Sequence, residues 1–416
     1  MHNLHPKILM TNPYIKRSLE PILKKAAAEF PAVVLTGPRQ SGKTTLLQQL
    51  FGRHYRYVSL EPPDVRASAE IDPRTFLELN PPPVIFDEVQ YAPGILPYIK
   101  EKIDASRHRK GQFLLTGSQN LLLMEKVTES LAGRAAILRL FPLSRREAEG
   151  RAQRPLPWEF LPQLSPEKSF AYGELWKGFL RGWYPELIAN PMLDANMWHG
   201  SYVQTYLERD VRTLRQIGDL SQFQNFLRVL AARSAQLLNL TDVARDLGVA
   251  VNTAKAWLSV LEATYQVIVL RPYFANVGKR LVKTPKVYFT DVGILCYLAG
   301  LKDPNHAASG PMGGAILETA VLSEIVKALT HRGIDPQVYF WRTMAGTEVD
   351  FVVVTGGGLV PIEVKLSATP RPAMASAIKT FQKDFGDKAL PGYVVHPGDM
   401  MLPLGPGVTA LPFALL

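Results

Sequence analysis

Gly37-Pro38-Arg39-Gln40-Ser41-Gly42-Lys43-Thr44 fits the pattern G-x-x-x-x-G-K-[ST] at every fixed position. Before it runs Pro31-Ala32-Val33-Val34-Leu35-Thr36, an apolar stretch that reads as a buried strand. After it, Thr45-Leu46-Leu47-Gln48-Gln49-Leu50 opens a helix with its apolar residues on one side. Strand, glycine loop and helix form a phosphate cradle, because backbone N–H groups of the loop and helix start converge on an anion. The binding segment is then Gly37, Pro38, Arg39, Gln40, Ser41, Gly42, Lys43, Thr44 and Thr45. Lys43 is expected to reach the β/γ-phosphates of ATP, and the Thr44 hydroxyl to ligate Mg²⁺.

Asp87 lies 44 residues beyond Lys43, at the end of Val84-Ile85-Phe86-Asp87-Glu88. An apolar strand that ends in two carboxylates supplies what a P-loop site needs to hold its metal. Asp87 is expected behind the Mg²⁺, and Glu88 is expected to orient or deprotonate the attacking water. Around these two strands the chain alternates strands and helices. A helix is expected over 13–30, strands over 55–60 and 111–116, and helices over 71–80 and 97–106, with Pro62-Pro63 as a turn. That alternation argues for a parallel α/β sheet covered on both faces.

The 416 residues suffice for two or three domains, with 47% hydrophobic and 20% charged residues as in an ordinary globular chain. Cys296 is the single cysteine, which excludes a disulfide framework and a clustered cysteine metal site. It suits a reducing cytosol, so a cytoplasmic protein is expected. The first 16 residues are polar and broken by Pro6 and Pro13, unlike a signal peptide. No run approaches 18 uninterrupted apolar residues, so no membrane span is expected. A net charge of +10 favours polyanionic partners, nucleic acid above all. The excess is concentrated: residues 191–290 carry 12 Lys/Arg against 7 Asp/Glu, and 263–290 carry Arg271, Lys279, Arg280, Lys283 and Lys286 with no carboxylate.

The strand after the acidic one ends Thr116-Gly117-Ser118-Gln119-Asn120. Ser118, with Asn120 behind it, sits where a γ-phosphate or its water is sensed; the same residues also suit a helix N-cap. The next helix ends Leu131-Ala132-Gly133, followed by Arg134, whose position suits an arginine finger for a neighbouring subunit's nucleotide. This order of P-loop, Asp-Glu strand, polar strand end and helix-Gly-Arg resembles the AAA+ ATPases. Glu129 to Arg134 (ESLAGR), the short strand Ala135 to Leu140 and Pro142 to Ser144 resemble in particular a prokaryotic family whose C-terminal half was long labelled a domain of unknown function. The resemblance implies homo-oligomeric ATPase rings, hexamers among them, with sites shared between subunits.

Residues 151–168 carry four prolines and read as a connector. FLRGWYPEL (179–187) and YVQTYLERDV (202–211) resemble that family's lid, with Arg209 and Asp210 either reaching the nucleotide or pairing on a helix surface. Residues 239–249 give a short helix starting at a Thr or Asp and stopped by Gly248, and Val251 to Leu261 gives a second. Helix, glycine turn and helix, then strands over 266–272 and 287–289 around a basic wing, read as a winged helix. On DNA, Asn252, Thr253 and Lys255 would head the recognition helix, with Lys279, Arg280 and Lys283 on phosphates. One cation on that helix suits sequence-independent contact; a lid or dimerisation surface is the other use of such a unit.

Residues 301–315 are rich in Gly, Pro and Ala and read as a loop at a domain boundary. An amphipathic helix is expected over 316–332, strands over 337–342, 348–355 and 359–366, and a helix over 373–385. Glu318, Asp350, Glu363 and Lys365 form the constellation here, Glu363 and Lys365 lying two apart and so on one strand face. Three carboxylates and a lysine can hold Mg²⁺ at a phosphodiester. The D…ExK arrangement with a helix Glu before it resembles the PD-(D/E)XK nuclease fold, with Glu348 standing where a Pro often precedes the Asp. Those four groups either hold a working metal or serve structure and DNA binding alone.

The expected α/β architecture is an AAA+ P-loop parallel-sheet domain (1–150), a connector and helical lid (151–220), a winged helix-turn-helix (221–300) and a PD-(D/E)XK nuclease-like α/β domain (301–416). The expected function is hydrolysis of ATP with Mg²⁺ by an oligomer acting as a motor or remodeller on DNA, branched or recombining DNA included. The alternatives are an ATP-dependent switch acting on protein partners and an ATP-gated, metal-dependent nuclease.

Overall fold

The computed structural model describes residues 14–118, 127, 129–160, 172–207, 220–273 and 284–416. Along its first strands, alternate residues enter opposite apolar layers. Ala32 and Val34 of β1 (Ala32–Gly37), Val84 and Phe86 of β3 (Val84–Asp87), and Phe113 and Leu115 of β4 (Phe113–Ser118) join one core. Val33, Leu35, Ile85 and Leu114 join another. A sheet apolar on both faces must be covered on both. Helices Glu20–Glu29 and Lys43–Phe51 cover one side, and Pro73–Leu79 and Leu96–Ala105 the other. With β2 (Arg56–Ser59) and β5 (Ala135–Arg139) the strand order is β2-β3-β4-β1-β5, every pair parallel. The C-terminal ends of β1, β3 and β4 therefore meet at one pole.

Pro63, expected in a turn, opens the helix Pro63–Ile71, and Pro21 stands in the first turn of Glu20–Glu29, which begins later than residue 13. Both follow from one fact: the first-turn N–H groups of a helix have no intrahelical partner, and proline lacks the group. The loop expected over 301–315 contains the helix Pro304–Ser309, capped by Asp303, which accepts from the His306 N–H at 2.8 Å.

Beyond the parallel sheet, helices Leu220–Ala232 and Val251–Ala263 meet through Phe223, Phe226 and Trp257, and Leu240–Leu247 packs against both. Asn239, two residues before Thr241 and three before Asp242, the expected starts, caps Leu240–Leu247 by accepting from the N–H groups of Thr241 and Asp242. Gly248 ends it in the left-handed region. Strands β6 (Val267–Leu270) and β7 (Lys286–Phe289) then pair antiparallel.

The last domain is a six-stranded mixed sheet, β12-β13-β11-β10-β9-β8: β8 (Val338–Arg342), β9 (Glu348–Thr355), β10 (Gly358–Val364), β11 (Gly392–His396), β12 (Leu402–Gly405) and β13 (Val408–Pro412). Its central helix, Gly313–Thr330, is buried on nearly every face, Glu324 and Lys327 included, and is not the amphipathic helix expected over 316–332. A helix buried on nearly every face needs partners inside the protein for its charged side chains. This one packs against β7, β10 and the helix Val292–Leu298. It also meets the N-terminal domain, where Glu324 accepts from the Arg145 N–H at 2.8 and 2.9 Å and Lys327 donates to the Leu143 carbonyl at 3.2 Å.

Candidate functional site

The loop after β1 turns on two glycines that tolerate no substitution cheaply. Gly37 has φ +147°, and a Cβ there would lie 2.1 Å from the Leu140 carbonyl oxygen. Gly42 has φ +91° and leads straight into the helix Lys43–Phe51. Lys43 is buried, its Nζ donating to the loop's own carbonyls at Gly37 (3.0 Å) and Pro38 (2.9 Å). The Ser41 hydroxyl is buried with no hydrogen-bond partner among the described residues. An ammonium folded onto its own loop and an unsatisfied hydroxyl beside a helix start are what a phosphate group would satisfy. The residues present therefore fit a nucleotide phosphate.

Thr44 donates to Asp87 Oδ2 at 2.9 Å, the pairing a Mg²⁺ site needs. Two further residues hold Asp87. Tyr57, from β2, donates to the same oxygen at 2.7 Å, and Thr116, from β4, donates to Oδ1. Burial and then Asp87 push the Tyr57 phenol well above its ordinary range, so it remains a donor. Thr116 also accepts from the Glu88 backbone N–H at 3.3 Å. Glu88 stands at φ +58°, where a non-glycine residue is uncommon, and Gln90 donates to its carboxylate. A single threonine thus holds the Asp87 carboxylate and the Glu88 backbone. The sequence reading looked to Ser118 and Asn120 on this strand and missed Thr116, although parallel pairing of β3 with β4 puts Phe86 opposite Leu115 and so the next residues side by side. The backbone of Ser118 pairs with Gly37 at the same pole. Asn120, Arg209, Asp210, Lys279, Arg280 and Lys283 lie outside the described residues.

Behind the loop, Arg17 donates to the Ser41 carbonyl at 2.9 Å and to the Phe141 carbonyl at 2.6 Å, and pairs with Glu147 at 3.3 Å. Glu147 reaches on to His331 Nδ1 at 3.1 Å, at the end of the C-terminal domain's central helix. Burial alone would raise the Glu147 carboxyl, but Arg17 and His331 overrule it and hold the group well below the usual range. Tyr202 closes the other side, its hydroxyl donating to the Arg39 carbonyl at 3.5 Å.

Arg134 is not near this pocket. It precedes β5, and its carbonyl accepts from the N–H of Ala32 at the start of β1. The six residues of β1 at about 3.3 Å each put it at the opposite pole of the sheet. There its side chain, 21% exposed, makes two bonds to Asp104 at 2.7 and 3.0 Å. Asn252 and Lys255 are exposed in the first turns of their helix, with Thr253 half-buried beside them.

In the C-terminal domain, Glu318, Asp350 and Glu363 are brought to one pole, with Glu348 among them. Asp350 accepts from the Val364 N–H at 2.8 Å, and Lys365 donates to Glu363 at 2.5 Å. Glu363 keeps its second oxygen buried and without a partner among the described residues. Burial, then the charges of Glu318 and Glu363, push the Asp350 carboxyl well above its ordinary range. No three His, Cys, Asp or Glu side chains among the described residues are disposed to hold a metal ion. The Lys286 ammonium stands among the carboxylates, 3.1 Å from Glu318, in contact with Glu348 and 3.9 Å from Asp350. Lys286 belonged to the basic run expected to face a polyanion; it is buried.

No helix among the described residues is long and apolar enough to cross a membrane. Three family descriptions match in succession: an AAA domain over residues 29–149, the domain of unknown function DUF8612 over 173–305, and the domain of unknown function DUF4143 over 313–416. A solved Walker-type ATPase of Pyrococcus abyssi, PABY2304, is similar with a TM-score of 0.45 and 16% identity, over 68% of this chain and 96% of that one. Two proteins named as uncharacterized, Rv2008c of Mycobacterium tuberculosis and Mb2031c of Mycobacterium bovis, are each 31% identical over 392 residues, which is 94% of this chain and 82% of theirs. The chain belongs to the family of these mycobacterial proteins, and its AAA domain with a P-loop makes it an AAA-like, nucleotide-binding ATPase.

Proposed function

We propose that the chain hydrolyses ATP with Mg²⁺ as a homo-oligomer and uses the energy to move or remodel DNA through largely sequence-independent contacts. The observation that carries the ATPase half is the Asp87 carboxylate and Glu88 backbone held on one threonine, with Asp87 also bonded to Thr44 at the helix start. Thr44 and Asp87 would hold Mg²⁺, which when bound neutralises charge on the transferred phosphate. Lys43 turns from its loop carbonyls to the phosphates, and the Ser41 hydroxyl gains a partner. Glu88 orients the attacking water and takes its proton.

The DNA half rests on the net charge of +10 and on the exposed Asn252 and Lys255 in the helix Val251–Ala263. We read that helix, its predecessor and the β6–β7 pair as a winged helix, and the last domain as nuclease-like in fold, residues 301–416. Arg134 sits far from its own nucleotide pocket, which supports a finger supplied to a neighbouring copy.

A second reading is a nucleotide switch that acts on a protein partner. The observation favouring it is the buried path from Ser41 through Arg17 and Glu147 to His331, which joins the loop to the last domain. Steady-state ATP hydrolysis without DNA, and with duplex, single strand or a four-way junction, separates the two, with Lys43→Ala as blank. Stimulation by one DNA form supports the DNA-dependent motor. Flat hydrolysis across all four overturns it in favour of the switch.

A further inference from the structure

The acidic pole of the last domain already holds a cation, and the cation comes from another unit of the chain. Lys286 begins β7, and its side chain, 4% exposed, lies between Glu318 of the central helix and Glu348 and Asp350 of β9. Glu348 and Asp350 are two apart on one strand, so both face the same point. Tyr288, two residues after Lys286 and therefore on its face of β7, donates to Glu318 at 2.5 Å. The other oxygen of Glu348 accepts from Arg342 at 2.6 Å, and Glu363 is paired with Lys365. A divalent ion entering beside the buried Lys286 ammonium would meet a like charge already paired with Glu318, Glu348 and Asp350.

Carboxylates are the ordinary ligands of a hard divalent cation, yet as they stand around Lys286 these side chains are not disposed to hold one. We infer that Lys286 stands in for that ion: while its ammonium is in place the pole takes no Mg²⁺ or Mn²⁺, and the ion pairs latch β7 to the C-terminal sheet. Removing the ammonium leaves Glu318 and Asp350 without their paired cation and Glu348 with Arg342 alone, and the three then recruit a divalent metal. The ATPase reading is untouched by this, since none of these residues lies at the P-loop.

The test uses the nucleotide-free 416-residue chain, with thermal unfolding in EDTA, MgCl₂ and MnCl₂ and Mn²⁺ binding followed by electron paramagnetic resonance. Parent and Lys286→Arg should unfold together, with no metal response that Asp350→Asn removes. Lys286→Met should unfold about 5 °C or more lower in EDTA and recover in Mn²⁺, because a buried acid cluster has lost its counter-ion. Three results overturn the inference: Mn²⁺ binding by the parent that Asp350→Asn abolishes, a Lys286→Met protein as stable as the parent, or one whose lost stability neither metal restores. Should Lys286→Met fail to fold, the parent against Asp350→Asn still decides whether the pole takes metal with its lysine in place.

Discussion

Arg17 donates to the carbonyl of Ser41 at 2.9 Å, so the phosphate loop is tied to a guanidinium that arrives from outside the P-loop motif. The same side chain pairs with Glu147 and bonds the Phe141 carbonyl, and it is 2% exposed. Taking it away leaves Glu147 ionised, buried and short of its main partner, which typically costs about 3–5 kcal/mol. Arg17→Ala should therefore lower chemical-denaturation stability by roughly that amount and weaken ATP binding together with it. Arg17→Lys should restore part of the stability and little of the nucleotide affinity, because an ammonium cannot bridge two carbonyls and a carboxylate with one planar fork. An Arg17→Ala protein as stable as the parent would show that the loop does not depend on this anchor.

Acid should loosen the same junction through His331. The Phe141 N–H donates to its Nε2 at 3.0 Å, so that nitrogen carries the lone pair and Nδ1 carries the proton shared with Glu147. Burial lowers the His331 pKa despite the pull of Glu147. The unfolded chain then binds the extra proton first, near pH 6.5, so the stabilisation is whole above that value and is lost as the pH falls below it. Glu147 is depressed too, so its contribution is present above about pH 4.3 and fades only in stronger acid. Melting temperature against pH should fall between pH 7 and 5, and His331→Gln should flatten that slope from a lower starting point. His199 and His396 are lowered by burial as well and account for any slope that remains.

Thr116 offers the sharpest test of the catalytic geometry. Thr116→Val keeps the shape of the strand end while removing the donor to Asp87 and the acceptor for the Glu88 N–H. The expected result is ATP binding within a few-fold of the parent and a kcat lowered about 10-fold, near 1.4 kcal/mol of lost positioning. Glu88→Gln should bind ATP as well as the parent and lose about 10²–10⁴ in kcat, the usual share of a general base. If Thr116→Val weakens binding and leaves kcat alone, the threonine serves the nucleotide ground state instead.

The P-loop and the Asp87-Glu88 strand were legible because a fixed spacing and an apolar strand carry their own geometry. Thr116 and Tyr57 were not, since their role comes from strand order, which β2-β3-β4-β1-β5 alone reveals. Arg17 lay hidden for a similar reason, 24 residues before the Ser41 carbonyl it holds. In the last domain the residue types were read and the packing was not. Lys286 looked like one more cation of a basic run, and Glu348 like a neutral departure from a pattern. Only the fold brings them together. The helix Gly313–Thr330 misled because its charged residues suggested a wet face, whereas Glu324 and Lys327 turn inward to backbone groups of the segment after β5.

Arg134 makes the case for assembly testable without a structure of the assembly. At the pole opposite its own nucleotide and paired with Asp104, it cannot serve the pocket of the same chain. If it completes a neighbour's site, Arg134→Ala should bind ATP normally and hydrolyse little, a loss of about 10³ or more for a missing finger. Lys43→Ala should fail for the opposite reason, an empty pocket beside an intact finger. Mixing the two inactive proteins should then restore hydrolysis, because Lys43→Ala copies lend Arg134 to Arg134→Ala copies whose pockets are whole. Activity should rise with total protein concentration and peak near equal proportions. A mixture no more active than its parts, at concentrations where the parent is fully active, would assign Arg134 a structural role with Asp104 and leave the finger to another residue.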